Sequence, residues 1–138
     1  MISPKRINHI GIAVRNLDKA INWYQGMLGL SLEGIQEVED EQVRVAFFRL
    51  GESRIELLEP ITETSPIAKH IQKRGEGIHH IAFEIEDIQE RLNELTLKGI
   101  DLVHKEPKQG AHQSLIAFLH PKSTGGVLME LCQSASKE

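Results

Sequence analysis

Two histidines 71 residues apart, His9 and His80, each open a short apolar segment: His9-Ile10-Gly11-Ile12-Ala13-Val14 and His80-Ile81-Ala82-Phe83-Glu84-Ile85. About fifty residues after each comes an acid inside an apolar run, Glu56 in Ile55-Glu56-Leu57-Leu58 and Glu130 in Leu128-Met129-Glu130-Leu131. An ionised carboxylate in such a run costs several kcal/mol unless a cation or strong donors compensate it. Two imidazoles and two carboxylates are a nitrogen–oxygen donor set for one divalent ion, Co2+, Mn2+, Zn2+ or Ni2+, and are unsuited to soft Cu(I). The donor types do not choose among these four; Co2+ is the first expectation. In the competing arrangement each acid pairs with an arginine, and Arg54 is the obvious partner for Glu56.

The elements that position these groups follow from periodicity. Strand side chains alternate, so His9 shares a face with Gly11 and Ala13, and His80 with Ala82 and Glu84. Small neighbours leave room beside each imidazole for an ion and a bound molecule. Sliding the chain by 71 residues aligns His9 with His80, Ile10 with Ile81, Val14 with Ile85 and Leu17 with Ile88. After each strand comes a helical period, with Ile21, Tyr24 and Leu28 on one face in the first half and Ile88, Leu92 and Leu95 in the second. Asn16 or Asp18 and Asp87 suit the N-caps, and Gly29 and Gly99 suit the left-handed C-terminal position. Three strands are expected next in each half: 31–38, 43–50 and 54–59, then 101–105, 114–119 and 127–132. The strand holding Glu130 is apolar enough to be buried on both faces. Each half therefore reads as βαβββ, over about 5–60 and 77–134, within one domain spanning 5–134. The linker 61–76 carries a short helix capped by Ser65 with Pro66 in its first turn.

Composition narrows the function classes. A net charge of −4 over 138 residues argues against general nucleic-acid or anionic-membrane binding. No apolar stretch reaches the roughly 18 residues of a membrane span. The one cysteine, Cys132, excludes an intrachain disulfide and suits a cytoplasmic protein, with the side chain expected in the core. There is no phosphate-cradling glycine loop, nucleophile elbow or CxxC pair. Among the remaining histidines, His79 faces away from His80, and His70, His104 and His120 read as solvated. His112, in the flexible Gln109-Gly110-Ala111-His112-Gln113 segment, is a candidate substrate-binding residue.

These residues and modules resemble the vicinal oxygen chelate (glyoxalase-like) superfamily and, within it, the methylmalonyl-CoA epimerase family. The likeness runs from Ile7 to about Gln133. It is most specific in His9-Ile10-Gly11-Ile12-Ala13, Ile55-Glu56-Leu57-Leu58-Glu59-Pro60 and Gly75-Glu76-Gly77-Ile78-His79-His80-Ile81-Ala82-Phe83, and in the tail Phe118-Leu119-His120-Pro121-Lys122 with Gly125-Gly126-Val127-Leu128-Met129-Glu130-Leu131. The resemblance implies an α+β fold whose tandem modules form a cup-like mixed sheet around a metal site, with helices outside. It implies metal ligation by His9, Glu56, His80 and Glu130, and interconversion of (R)- and (S)-methylmalonyl-CoA by C2 proton abstraction through a metal-stabilised enolate. Glu130 would act at the acidic carbon. Where some relatives carry a second glutamate this chain has Val45, which leaves Glu56, Glu41 or a metal-held water as the second proton carrier. Some relatives also have glutamine in place of Glu56. The acyl-CoA partner would lie near basic residues such as Lys73, Arg74, Lys105, Lys108 and Lys122, and a homodimer is expected by analogy. Two other functions fit the same plan: a glyoxalase I-type lyase acting on a hemithioacetal, and a non-catalytic small-molecule binder. A ring-cleaving dioxygenase fits less well, since that chemistry goes with a two-histidine, one-carboxylate iron site.

Overall fold

The segment opened by His9 lies in strand β1, Arg6–Ala13, and that opened by His80 lies in β5, Gly77–Glu84. The computed structural model describes residues 2–135, which divide into two units: His9–His79, and the segments up to Asn8 and from His80 onward. The fold class is α+β, and each half has the βαβββ order that the repeat implies.

In the unit His9–His79, β1 leads into α1 (Leu17–Ile21), followed by β2 (Ser31–Val38), β3 (Val43–Leu50) and β4 (Ser53–Pro60) in the order β2-β3-β4-β1. β4 runs parallel to β1 and antiparallel to β3, so the sheet is mixed. Asn16 caps α1 by accepting from the Lys19 N–H at 3.0 Å. The helix then widens into a π-helical turn over Asn22–Met27, where the Leu28 N–H reaches back five residues to the Trp23 carbonyl. The single regular helix expected here is thus an α-turn followed by a π-turn, stopped at Gly29 with φ +82°. Val14, Leu17, Ile21, Ala46, Phe48 and Leu57 form the core beneath it. The linker helix α2, Pro66–Arg74, is capped by Ser65 as expected: its Oγ accepts from the Ile67 N–H and donates to the Glu41 carbonyl.

The second unit repeats this plan with β5, α3 (Ile88–Leu97), β6 (Lys108–Gln109), β7 (Leu115–Leu119) and β8 (Met129–Gln133), in the order β5-β8-β7-β6. Asp87 caps α3 through the Glu90 N–H, and Ile85, Ile88, Leu92, Ala117, Leu119 and Leu131 form its core. The strand expected at 101–105 is reduced to one bridge, Leu102 to Leu119. At this edge the Phe118 N–H donates to the His104 side chain in place of a strand carbonyl, and regular pairing resumes at Lys108.

Glu84, 5% exposed, ties this unit's ends together. Its carboxylate accepts from the Asn8 amide at 2.8 Å, the Ser134 N–H at 2.9 Å and the Ser134 hydroxyl at 2.6 Å, while Arg6 stands 3.7 Å away. Glu84→Ala leaves these donors without that acceptor, and a destabilisation of about 2–4 kcal/mol is expected. Urea unfolding reads it as a lowered midpoint at unchanged slope.

Candidate functional site

Strand register decides what surrounds each histidine and acid. In the first unit Gly11 lies beside Glu56 on the parallel side and Phe47 beside it on the antiparallel side. One sheet face thus carries His9, Gly11, Ala13, Val45, Phe47, Glu56 and Leu58, while Ile12, Ala46, Phe48, Ile55 and Leu57 pack under α1 on the other. The second unit repeats the pattern. Ala82 and Phe118 flank Glu130, and His80, Ala82, Phe118 and Glu130 share the face opposite to the α3 core. A small residue on one side and a phenylalanine on the other thus flank each acid. The two phenylalanines have the same 71-residue offset as the histidines, so the repeat carries the signal that marks them, although neither bears a group that could do chemistry.

Each histidine meets the acid of its own unit. His9 Nδ1 lies 3.2 Å from Glu56 Oε2, and His80 Nε2 lies 3.2 Å from Glu130 Oε1. All four side chains are buried, His9, His80 and Glu130 at 5% exposure and Glu56 at 7%. Charge-assisted hydrogen bonds between nitrogen and carboxylate run closer to about 2.7–2.9 Å. Two donors each about 2.1 Å from one ion stand roughly 3.0 Å apart at a right angle and 3.4 Å apart at the tetrahedral angle. The observed separation falls between those values, so each pair fits ligation of an ion.

Arg54, the alternative partner for Glu56, is engaged elsewhere. A β-bulge in β2 between Leu32 and Gly34 places Glu33 beside β3 and β4. Glu33 accepts from Arg54 at 2.9 Å and from Arg49 at 3.3 Å. That bulge is invisible to a two-residue alternation pattern.

The other candidates separate clearly. His112 is exposed and adopts a left-handed backbone (φ +55°), as does Gln113 (φ +61°), a conformation costly for non-glycine residues. The turn closes through the Gly110 N–H to the Ser114 carbonyl, and a Cβ on Gly110 would stand 2.8 Å from Ile116 Cγ2. Val45 is buried, paired with Gln36 and Leu58 in the ladders, and carries no transferable proton. Glu41 is half-buried at the end of a 3-10 turn, Glu39–Glu41. Lys73, Arg74, Lys105 and Lys122 are exposed, Lys122 lying 3.5 Å from Asp101, and Lys108 is half-buried. Two histidines expected in solvent are instead half-buried. His70 packs edge-on against His79 at 4.8 Å, where burial and then the Arg74 charge lower its pKa. His104 packs on Phe118. His120 is exposed as expected, and Cys132 is buried.

The sequence of residues 8–118 matches the Glyoxalase/Bleomycin resistance protein/Dioxygenase superfamily. The ethylmalonyl-CoA/methylmalonyl-CoA epimerase of Cereibacter sphaeroides is 42% identical to the chain, over 93% of the chain and 97% of that protein. The human mitochondrial methylmalonyl-CoA epimerase is 41% identical, over 94% of the chain and 74% of that protein. Among solved structures, a variant of the Streptomyces coelicolor methylmalonyl-CoA epimerase in complex with 2-nitronate-propionyl-CoA superposes with a TM-score of 0.94. It is 39% identical, with 99% of each chain covered.

Proposed function

The chain belongs to the Glyoxalase/Bleomycin resistance protein/Dioxygenase superfamily, and from that premise we propose that it is an epimerase interconverting (R)- and (S)-methylmalonyl-CoA at C2. The observation that carries this reading is the buried His–Glu pair repeated at the same register in both units, each at ligand-to-ligand spacing. The epimerase relatives, one with an acyl-CoA analogue bound, support the substrate class.

His9, Glu56, His80 and Glu130 are proposed to hold one divalent ion, Co2+ first. His9, His80 and Glu130 are all buried and each offers a donor atom. When bound, such an ion supplies Lewis acidity at the thioester oxygen, where charge builds as C2 loses its proton. Glu130 takes that proton: the C–H bond breaks, its electron pair moves into the enolate, and the carboxylate becomes a carboxylic acid. Inversion needs a proton delivered from the opposite side. Glu56, Glu41 or a held water is the donor, because Val45 has no transferable proton. Phe47 and Phe118 stand beside the two acids in the ladders, so an apolar side chain neighbours each of them. His112 contacts the substrate in this reading, with basic residues such as Lys108 near the CoA portion. A homodimer in the cytoplasm completes the proposal; no helix among the described residues is long and apolar enough to cross a membrane.

Proton NMR of (2S)-methylmalonyl-CoA in D2O tests the activity. The expected result is loss of the C2 proton signal together with racemisation. Turnover of a methylglyoxal hemithioacetal without exchange at C2 would assign the site to the glyoxalase I-type lyase instead. Binding of an acyl-CoA with neither reaction would leave a non-catalytic module.

A further inference from the structure

We propose that His104 is a positioning residue: it holds Phe118 in place and thereby sets the orientation of the His80 imidazole. The inference rests on the reading of His80 as a metal ligand. His80, His104 and Phe118 all lie in the same unit. β7 pairs with β8 through one edge, placing Phe118 beside Glu130. The other edge at Phe118 has no regular strand beside it, because pairing with β6 reaches only Leu115 and Ile116. The segment after Leu102 fills the gap in two ways. The Val103 N–H donates to the Phe118 carbonyl at 2.8 Å, and the Phe118 N–H donates to His104 Nδ1 at 3.1 Å. An imidazole nitrogen thus does the work of a strand carbonyl.

The same imidazole packs on the Phe118 ring, with centroids 5.7 Å apart. That ring in turn stands edge-to-face against His80, with centroids 5.4 Å apart and planes at 81°. His80 is therefore held between Glu130 at 3.2 Å and a phenylalanine whose backbone and ring both contact His104. Groups that orient a ligating imidazole tune metal affinity even when they never touch the metal. The accepting role of Nδ1 requires that nitrogen to be unprotonated, which puts the proton of the neutral ring on Nε2.

The test titrates Co2+ into metal-free protein and follows its d–d absorption, a readout of ligand geometry independent of turnover. His104→Phe keeps a ring against Phe118 and removes the acceptor; it is expected to weaken Co2+ binding about tenfold and to shift the band. His104→Asn supplies a carbonyl near the position of Nδ1 and should recover affinity to within about twofold of wild type. Phe118→Leu, which leaves the backbone bond in place but removes the ring beside His80, should shift the band as well. Wild-type affinity and spectrum in either His104→Phe or Phe118→Leu would overturn the proposal, and so would an Asn variant as weak as the Phe variant. His80→Ala separates the two levels: if it binds Co2+ like wild type, the ligand assignment itself is wrong, whatever the His104 variants do.

Discussion

Glu130→Gln is expected to lower C2 proton exchange and epimerisation of methylmalonyl-CoA by about a thousandfold. A positioned general base contributes on the order of 10²–10⁴ in rate, and the amide is nearly isosteric but cannot accept the proton. The same substitution exchanges an anionic ligand for a neutral one, so some of the loss comes from a weaker hold on the ion. Glu130 is flanked in the ladder by Ala82 and Phe118, neither of which can accept a proton in its place. Isotope exchange measured separately from racemisation divides the roles. If Glu130 serves the C2–H of only one epimer, the other epimer retains exchange while interconversion stops. Glu56→Gln is the companion variant: unimpaired turnover in both directions dismisses Glu56 as second proton carrier. Full activity of Glu130→Gln would remove the basis of the proposed chemistry.

Removal of divalent metal is expected to cut activity below about 1% of the loaded enzyme and to lower the melting temperature. An ion present at a hundred times its dissociation constant stabilises the folded chain by about 2.7 kcal/mol. For a chain of this length that corresponds to roughly 10 °C. The physical source is the pair of buried carboxylates, Glu56 and Glu130, each with an imidazole at 3.2 Å. Chelation followed by dialysis and Co2+ re-addition should restore both properties. His9→Ala and His80→Ala should each abolish the Co2+-dependent rise in melting temperature, since each removes a donor from one module. A melting temperature indifferent to Co2+ in the wild type would show that the pairs are satisfied without metal.

Several features are legible in the amino-acid order because they are local. The repeat, the caps at Asn16, Asp87 and Ser65, the stops at Gly29 and Gly99, and the inward alternation of His9 and His80 all reside in short windows, where spacing maps directly onto geometry. The acids stand out because a carboxylate between aliphatic residues is costly wherever the chain places it. The π-helical turn over Asn22–Met27 and the loss of a strand at 101–105 are not legible: both depend on how hydrogen bonds are shared, which composition does not specify.

The identity of the chemistry-bearing residues is thus contained in the one-dimensional pattern, whereas their partners are contained in pairing between distant strands. Arg54 lies two residues from Glu56, yet a bulge in β2 supplies Glu33 in its stead. His104 reads as a solvated loop residue, yet it completes the edge of β7 behind Phe118. Phe47 and Phe118 become neighbours of the acids only through ladder register. Strand register is fixed cooperatively by hydrogen bonds between segments far apart in the chain, and a one-residue slip would turn every one of these side chains to the other face.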